Sequence, residues 1–228
     1  MLTLLHGEHH IKSRAMLVEL LSRARSDQKS ITHIESKQLD QAVLTQALQS
    51  HSLFGEERVI VIEELHSLPK SKKRDALLEL LRTVQDDREI ELVLWEKKQL
   101  SATEVKAFPG AKVQAFAPTK TMFTWLGSIS GNASAEGKRN TLKLLQDTIK
   151  ADGEYFCFSM LTRQVRLLMT AKESSVGANP RVVSQAKTFT WKQLFALHHQ
   201  LVLIDEKSKN SSSSLDMSNQ LELLLATL

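Results

Sequence analysis

The chain has 228 residues, 42% of them hydrophobic and 25% charged, with a mean hydropathy of −0.21; a soluble globular protein with a sizeable core is expected, and wholesale disorder is not. Its one cysteine, Cys157, can form neither an internal disulfide nor a thiolate zinc cluster, which points to a reducing cytosol, and 5% aromatic residues are too few for a base-stacking platform. No apolar run reaches the ~18 residues of a membrane span or reads as a secretory signal.

The first half alternates between strand and helix patterns. Residues 2–5 are a short apolar strand ending at Gly7, and Leu17, Leu20, Leu21 and Ala24 then mark one face of a helix. Ser30–Glu35 reads as a second strand on Ile31 and Ile34, followed by a helix on Leu39, Val43 and Ala47. Residues 58–62 carry the unbroken β-branched run Val59-Ile60-Val61-Ile62, the pattern of a strand buried on both faces. A helix on Leu77, Leu80, Leu81 and Val84 separates it from a second buried strand at 91–95, and a weaker strand follows at 112–116. Strand–helix alternation at this spacing predicts an α/β domain over residues 1–117, with a parallel sheet covered by helices.

After Pro118 only helical periods occur. Phe123, Trp125 and Leu126 mark a short helix, and the Gly/Ser/Asn stretch at 128–135 resembles a linker, so residues 118–137 are expected to be a linker. Residues 138–228 are expected to form an all-α domain. Its helical faces are Leu142–Leu145–Ile149, Phe158–Leu161–Val165–Leu168, Leu194–Leu197–Leu201–Ile204 and Leu221–Leu224–Leu225–Leu228, with a polar, Ser-rich loop at 209–214. The net charge of +4 is uneven. Residues 1–117 hold 17 Lys/Arg against 17 Asp/Glu, and residues 118–228 hold 13 against 9, which permits only a weak, salt-sensitive contact with phosphate.

The turn His6-Gly7-Glu8-His9-His10-Ile11-Lys12-Ser13 lies where a phosphate-binding loop would sit in such a fold. A working loop needs glycine-rich backbone around the phosphates, a Lys for the β/γ-phosphates and a Ser/Thr for Mg²⁺. Lys12 and Ser13 mimic its end, but Gly7 is the only glycine before them and Glu8 places negative charge where phosphate would lie. The expected reading is a degenerate nucleotide site made of Gly7, Glu8, Lys12 and Ser13, a plain strand-to-helix turn with no nucleotide or other cofactor. His6, His9 and His10 lack metal-ligand spacing and are expected as exposed turn histidines. Cys157, among Tyr155, Phe156 and Phe158, is expected as a buried structural thiol. Glu63 and Glu64 stand where nucleotide hydrolases hold Mg²⁺, but with no competent loop they are expected as solvated residues at the sheet edge. No catalytic residues and no metal site emerge.

Leu53 and Phe54, in Ser52-Leu53-Phe54-Gly55, admit two readings: side chains packed under the sheet, or a displayed hydrophobic anchor for a partner's pocket. Burying both would contribute on the order of 3–6 kcal/mol before ordering costs, enough to dominate a small interface.

The turn Leu5-His6-Gly7-Glu8, the segment Ser52-Leu53-Phe54-Gly55-Glu56-Glu57-Arg58 leading into 59–63, and 92–96 ending in Trp95-Glu96 together resemble the delta subunit of the bacterial DNA polymerase III clamp loader. The helical half is similar to that family's collar domain, most of all at Leu161-Thr162-Arg163-Gln164-Val165-Arg166-Leu167-Leu168 and at Leu203-Ile204-Asp205-Glu206-Lys207-Ser208-Lys209. The resemblance implies an AAA+-type fold that has lost its ATP site and a subunit without activity of its own within the polymerase holoenzyme. It implies a leucine–phenylalanine pair, here Leu53 and Phe54, that enters a pocket of the ring-shaped sliding clamp. Opening would follow from binding the open ring better than the closed one. The implied partners are the sliding clamp and, through the collar, delta-prime and the ATPase subunits, with a weak DNA contact and no membrane, in the bacterial cytosol near the nucleoid. Family members usually carry a lid domain between core and collar, so a short form is implied, its lid missing or reduced to a remnant at 118–137. Two other functions are weighed: an atypical P-loop enzyme using Lys12, Ser13 and Glu63, and a stand-alone DNA-binding protein using the basic helical domain.

Overall fold

A computed structural model describes residues 1–50, 57–84, 90–210 and 214–228. The chain divides into two compact units, Met1–Ala117 and Pro118–Leu228.

The first unit alternates β1 (Leu2–His6), α1 (His10–Ser26), β2 (Ser30–Glu35), α2 (Gln41–Gln49), β3 (Arg58–Glu63), a 3₁₀ turn at Leu65–Ser67, α3 (Lys72–Val84), β4 (Ile90–Glu96), α4 (Ala102–Lys106) and β5 (Lys112–Ala115). The strands form one parallel sheet in the order β2-β3-β4-β1-β5. The order explains the strand sequences. β1, β3 and β4 lie inside the sheet and are buried along nearly their whole length, which requires continuous apolar runs. β2 and β5 are the edges, and both are mostly exposed.

Alternate side chains on the central strands feed two separate cores. Leu4, Ile60, Ile62, Leu92 and Leu94 pack with Leu44 and Leu48 of α2 and Leu77 and Leu81 of α3. Their neighbours Leu5, Val59, Val61, Val93 and Trp95 pack on the other face with Leu17 and Ala24 of α1. The unit is therefore three-layered, with the C-terminal ends of five strands gathered along one edge.

The second unit holds α5 (Lys120–Ser128), α6 (Ala135–Asp152), α7 (Glu154–Glu173), α8 (Pro180–Lys187), α9 (Trp191–Lys209) and α10 (Met217–Ala226). The expected fold class, a parallel α/β unit followed by an all-helical one, is the one observed. α7 lies at the centre of the helical core, with Phe156, Leu161, Val165 and Leu168 buried against Leu194, Leu197 and Leu201 of α9 and Leu221 and Leu225 of α10. Residues 118–137, expected as a linker or lid remnant, carry α5, and its Met122, Trp125 and Leu126 lie in that core together with Ile129. Asp152 secures the start of α5: its carboxylate accepts from the Thr119 hydroxyl at 2.6 Å and the Thr119 N–H at 3.2 Å.

Candidate functional site

Gly7 ends β1 with φ +134°, a conformation other residues rarely adopt. Chain closes over it from two directions. The Gly7 N–H donates to the Lys98 carbonyl at 3.2 Å, and the Phe116 N–H donates to the His6 carbonyl at 2.7 Å. The His9 N–H returns to the Phe116 carbonyl at 2.9 Å. A Cβ on Gly7 would lie 2.2 Å from the Phe116 carbonyl oxygen, so only glycine fits. The next N–H groups are engaged as well. That of His10 donates to Glu8 O, that of Ser13 to His9 O, and that of Lys12 to His9 Nδ1 at 3.4 Å. Ser13 is fully buried; its hydroxyl donates to His10 O and accepts from the Trp95 indole at 3.1 Å. Glu8 and Lys12 are exposed beside it. The four residues of the expected degenerate site are thus neighbours in space, and the N–H groups of Gly7, His9, His10, Lys12 and Ser13 are bonded within the chain.

His6 and His9 are not exposed turn histidines: they are 2% and 1% exposed, while His10 is half-buried. His9 caps α1, and His6 is the last residue of β1, registered beside Glu96 of β4. Among the described residues no cluster of three or more His, Cys, Asp or Glu side chains is placed to hold a metal ion.

Glu63 is not solvated either. It is 8% exposed at the end of β3, and its two oxygens accept from the guanidinium of Arg14, one of them at 2.8 Å. His33 Nε2 lies 2.6 Å from the carboxylate. Arg14 is held from its other side by the Trp95 ring, 3.9 Å away. Burial pushes the Glu63 carboxyl upward, but Arg14 and His33 outweigh it and hold it below the usual range. Glu64 departs in the left-handed region, φ +58°, and its N–H donates to Trp95 O at 2.8 Å.

A third polar group at the same edge escapes sequence reasoning. Glu96 is fully buried at the end of β4, and one of its oxygens accepts from the His66 N–H at 2.9 Å and meets His66 Nδ1 at 2.7 Å. His6 Nδ1 accepts from the Leu100 N–H, and Lys98 Nζ donates to His66 O. Burial lowers the His6 imidazole; Glu96 pulls the other way and His66 adds to the lowering. The signal was present only in the register, since neither Glu96 nor His66 belongs to a recognisable motif. Open parallel sheets bind ligands at the carboxyl ends of their strands. Here that edge is occupied by three sets of the chain's own side chains.

Leu53 and Phe54 lie outside the described residues, but their flanks do not. α2 ends at Gln49, and the buried guanidinium of Arg58, the first residue of β3, reaches back to its last turn. It donates to the carbonyls of Ala47 at 3.2 Å, Leu48 at 3.4 Å and Ser50, and to the Ser50 hydroxyl at 3.1 Å. One cation therefore serves the unpaired carbonyls of a helix C-terminus. Lys29 holds the preceding residue, Glu57, at 2.9 Å and Glu91 at 3.3 Å. Ser50 and Glu57 are thereby secured on the two sides of the Leu53–Phe54 segment. In the helical unit Cys157 is fully buried, and burial with the nearby Asp152 carboxylate pushes its thiol up to about 12, so it is an inert structural thiol.

No curated protein matches the chain. Among solved structures it is similar to the Bacillus subtilis DNA clamp loader delta protein (YqeN), at 14% identity over 99% of this chain and 94% of that one, with a TM-score of 0.46. Residues 11–113 match the family model "DNA polymerase III, delta subunit". That match runs from the first turn of α1 into β5 and takes in Arg14, the Leu53–Phe54 segment, Arg58, Glu63 and Glu96, and over these residues the chain is delta-subunit-like.

Proposed function

We propose that the protein is a clamp-loader subunit without catalytic activity that binds the DNA sliding clamp through Leu53 and Phe54 and opens it. The observation that carries this reading is the family match over 11–113, because the segment containing the pair falls inside it. The engaged turn at Gly7 to Ser13 supports a subunit that neither binds nor hydrolyses ATP, leaving hydrolysis to partner subunits. Binding through an apolar pair suits a partner that must be released, since two buried side chains contribute a few kcal/mol rather than a permanent interface. Opening requires a higher affinity for the open ring than for the closed one. The helical unit joins delta-prime and the ATPase subunits, any DNA contact is weak, and the site of action is the cytosol; no helix among the described residues is long and apolar enough to cross a membrane.

The test is capture of the cognate sliding clamp by purified protein. The double variant Leu53→Ala, Phe54→Ala is expected to lose capture by at least a hundredfold while its circular dichroism spectrum is unchanged. Capture undiminished in that variant rejects the anchor. Calorimetric titration with ATP–Mg²⁺ is expected to be silent, and binding abolished by Lys12→Ala would favour the P-loop enzyme instead.

A further inference from the structure

The start of α3 is the most basic stretch of the chain: Lys70-Ser71-Lys72-Lys73-Arg74 carries four cations, followed by one carboxylate, Asp75. The three lysines are exposed. A helix N-terminus repels cations, because its aligned peptide dipoles end there in positive charge. Cations gathered at this place oppose the helix's own electrostatics unless an anion shares it. Ser71 caps the helix: its hydroxyl accepts from the Arg74 N–H at 3.3 Å, and its carbonyl from the Asp75 N–H at 3.0 Å. The N–H groups of Lys72 and Lys73 precede these bonds and have no acceptor among the described residues.

The side chain of Arg74 converges on the same turn. It is 9% exposed and reaches back over the helix start, where one guanidinium nitrogen donates to Leu68 O at 3.4 Å. Its Nε is buried without a hydrogen-bond partner, and no carboxylate among the described residues pairs with it. A buried cation held by one long hydrogen bond is unfavourable. The other buried arginine, Arg58, instead donates to several carbonyls of the α2 C-terminus.

The chain leading into this turn is fixed. Glu96 accepts from the His66 N–H at 2.9 Å, Lys98 Nζ donates to His66 O at 3.0 Å, and the Leu68 N–H donates to Leu65 O at 3.2 Å. An anion bound here meets groups already in place, which keeps its ordering cost small. The donor set favours a phosphate group. A guanidinium takes two oxygens side by side, and helix N–H groups take oxygens from another direction, an arrangement that a tetrahedral oxyanion satisfies better than a planar carboxylate. Four cations against one carboxylate also suit a dianion better than a monoanion.

We propose that the start of α3 is a phosphate-binding site: Arg74 and the N–H groups of Lys72 and Lys73 take the phosphate oxygens, and the side chains of Lys70, Lys72 and Lys73 supply the surrounding charge. The site shares no residue with the turn at Gly7 to Ser13 or with the Leu53–Phe54 segment, and it does not rest on the reading of the protein as a loader subunit. Mg²⁺ on ATP occupies the oxygens that this site would take, so ATP–Mg²⁺ is expected to stay silent here too. Free phosphate and the backbone of a nucleic acid both present the required chemistry, and the test separates them.

The full-length protein is titrated into inorganic phosphate at fixed ionic strength and followed by phosphorus NMR line broadening; a labelled DNA duplex is followed by fluorescence anisotropy. Arg74→Met, which keeps a buried alkyl chain, and the double variant Lys72→Ala, Lys73→Ala are each expected to weaken binding at least tenfold. Arg25→Ala, which removes an exposed cation of α1, is expected to leave it unchanged. Unaltered circular dichroism establishes that the variants fold, and the exposed lysine pair carries the test if Arg74→Met does not. Duplex binding weakened by the same variants identifies the nucleic-acid backbone as the source, whereas phosphate broadening without duplex binding identifies free phosphate. Three results overturn the proposal: wild-type protein that binds neither probe, binding insensitive to both variants, and displacement of phosphate by acetate at equal concentration, which would make the turn a carboxylate site.

Discussion

At the scale of single residues, chemistry inferred from neighbours in sequence was least reliable where the sheet brings distant residues together. His6 looked like a turn histidine because it precedes Gly7, yet it terminates β1 and lies beside Glu96, ninety positions away. Its burial has a consequence for stability. The folded imidazole ionises below its ordinary value near 6.5, chiefly because it is buried. Below pH ~6.5 the unfolded chain therefore binds more protons than the folded one, and stability falls as pH drops from about 7 toward the folded value. Glu63 acts in the same direction but lower: its carboxyl is held down in the fold, so its contribution is present above its usual value near 4.5 and is lost as pH falls through the folded one. Denaturant midpoints measured from pH 7.5 to 5 are expected to decline, and His6→Asn, whose amide can still accept from the Leu100 N–H, is expected to flatten that decline. An unchanged slope in the variant would assign it to another group. Glu63 shows the same limit of sequence reading, because its partners Arg14 and His33 come from α1 and β2.

At the scale of elements, strong periodicity was legible and ambiguous periodicity was not. β3 and β4 were clear because a central parallel strand must be apolar on both faces. Of the expected α2 face, Leu39 is buried just before the helix and Ala47 packs against the same core, whereas Val43 is exposed and Leu44 and Leu48 turn inward. Asp40 caps the helix and sets the phase, which a spacing of four counted from Leu39 misses by one residue at Val43. The Gly, Ser and Asn content of the stretch at 128–135 suggests a linker, because composition describes local freedom but not distant partners. Gln185 of α8 donates its amide to the carbonyls of Leu126 at 2.7 Å and Ile129 at 2.9 Å, and accepts from Gln164. Gln193 donates to Gly131 O at 2.7 Å, and a Cβ on Gly131 would meet the Phe189 ring at 2.8 Å. These amides supply the donors that the end of α5 lacks. Gln185→Ala is expected to destabilise the helical unit by about 2–3 kcal/mol in chemical denaturation, the cost of two carbonyls losing their donor. Gln185→Glu keeps the shape but turns a donor into an acceptor, and at neutral pH is expected to cost at least as much. A fully stable Gln185→Glu variant would refute the role given to the amide.

At the scale of the molecule, the decisive feature is that each unit builds its own core. The two cores of the first flank one sheet, and that of the second is assembled from α5 to α10 around α7. The change in pattern at Pro118 was legible because a buried parallel sheet and a helical bundle draw on different residue types and periods. Strand order was not legible, since β1, β3 and β4 are equally apolar and only pairing distinguishes their places. A unit with its own core is a unit of opening, because the amides that exchange together are those protected by the same packed side chains. Leu161, fully buried on α7, is the sharpest probe. Leu161→Ala leaves a cavity in the helical core and is expected to destabilise it by about 3 kcal/mol. Hydrogen exchange read by mass spectrometry is expected to accelerate in peptides from 118–228, by roughly the hundredfold that this energy allows where exchange proceeds through opening of the whole helical unit. Peptides from β1, β3 and β4 are expected to exchange at the wild-type rate. Acceleration of equal size in the sheet would mean that the chain opens as one body, and the two cores would then be parts of a single cooperative fold.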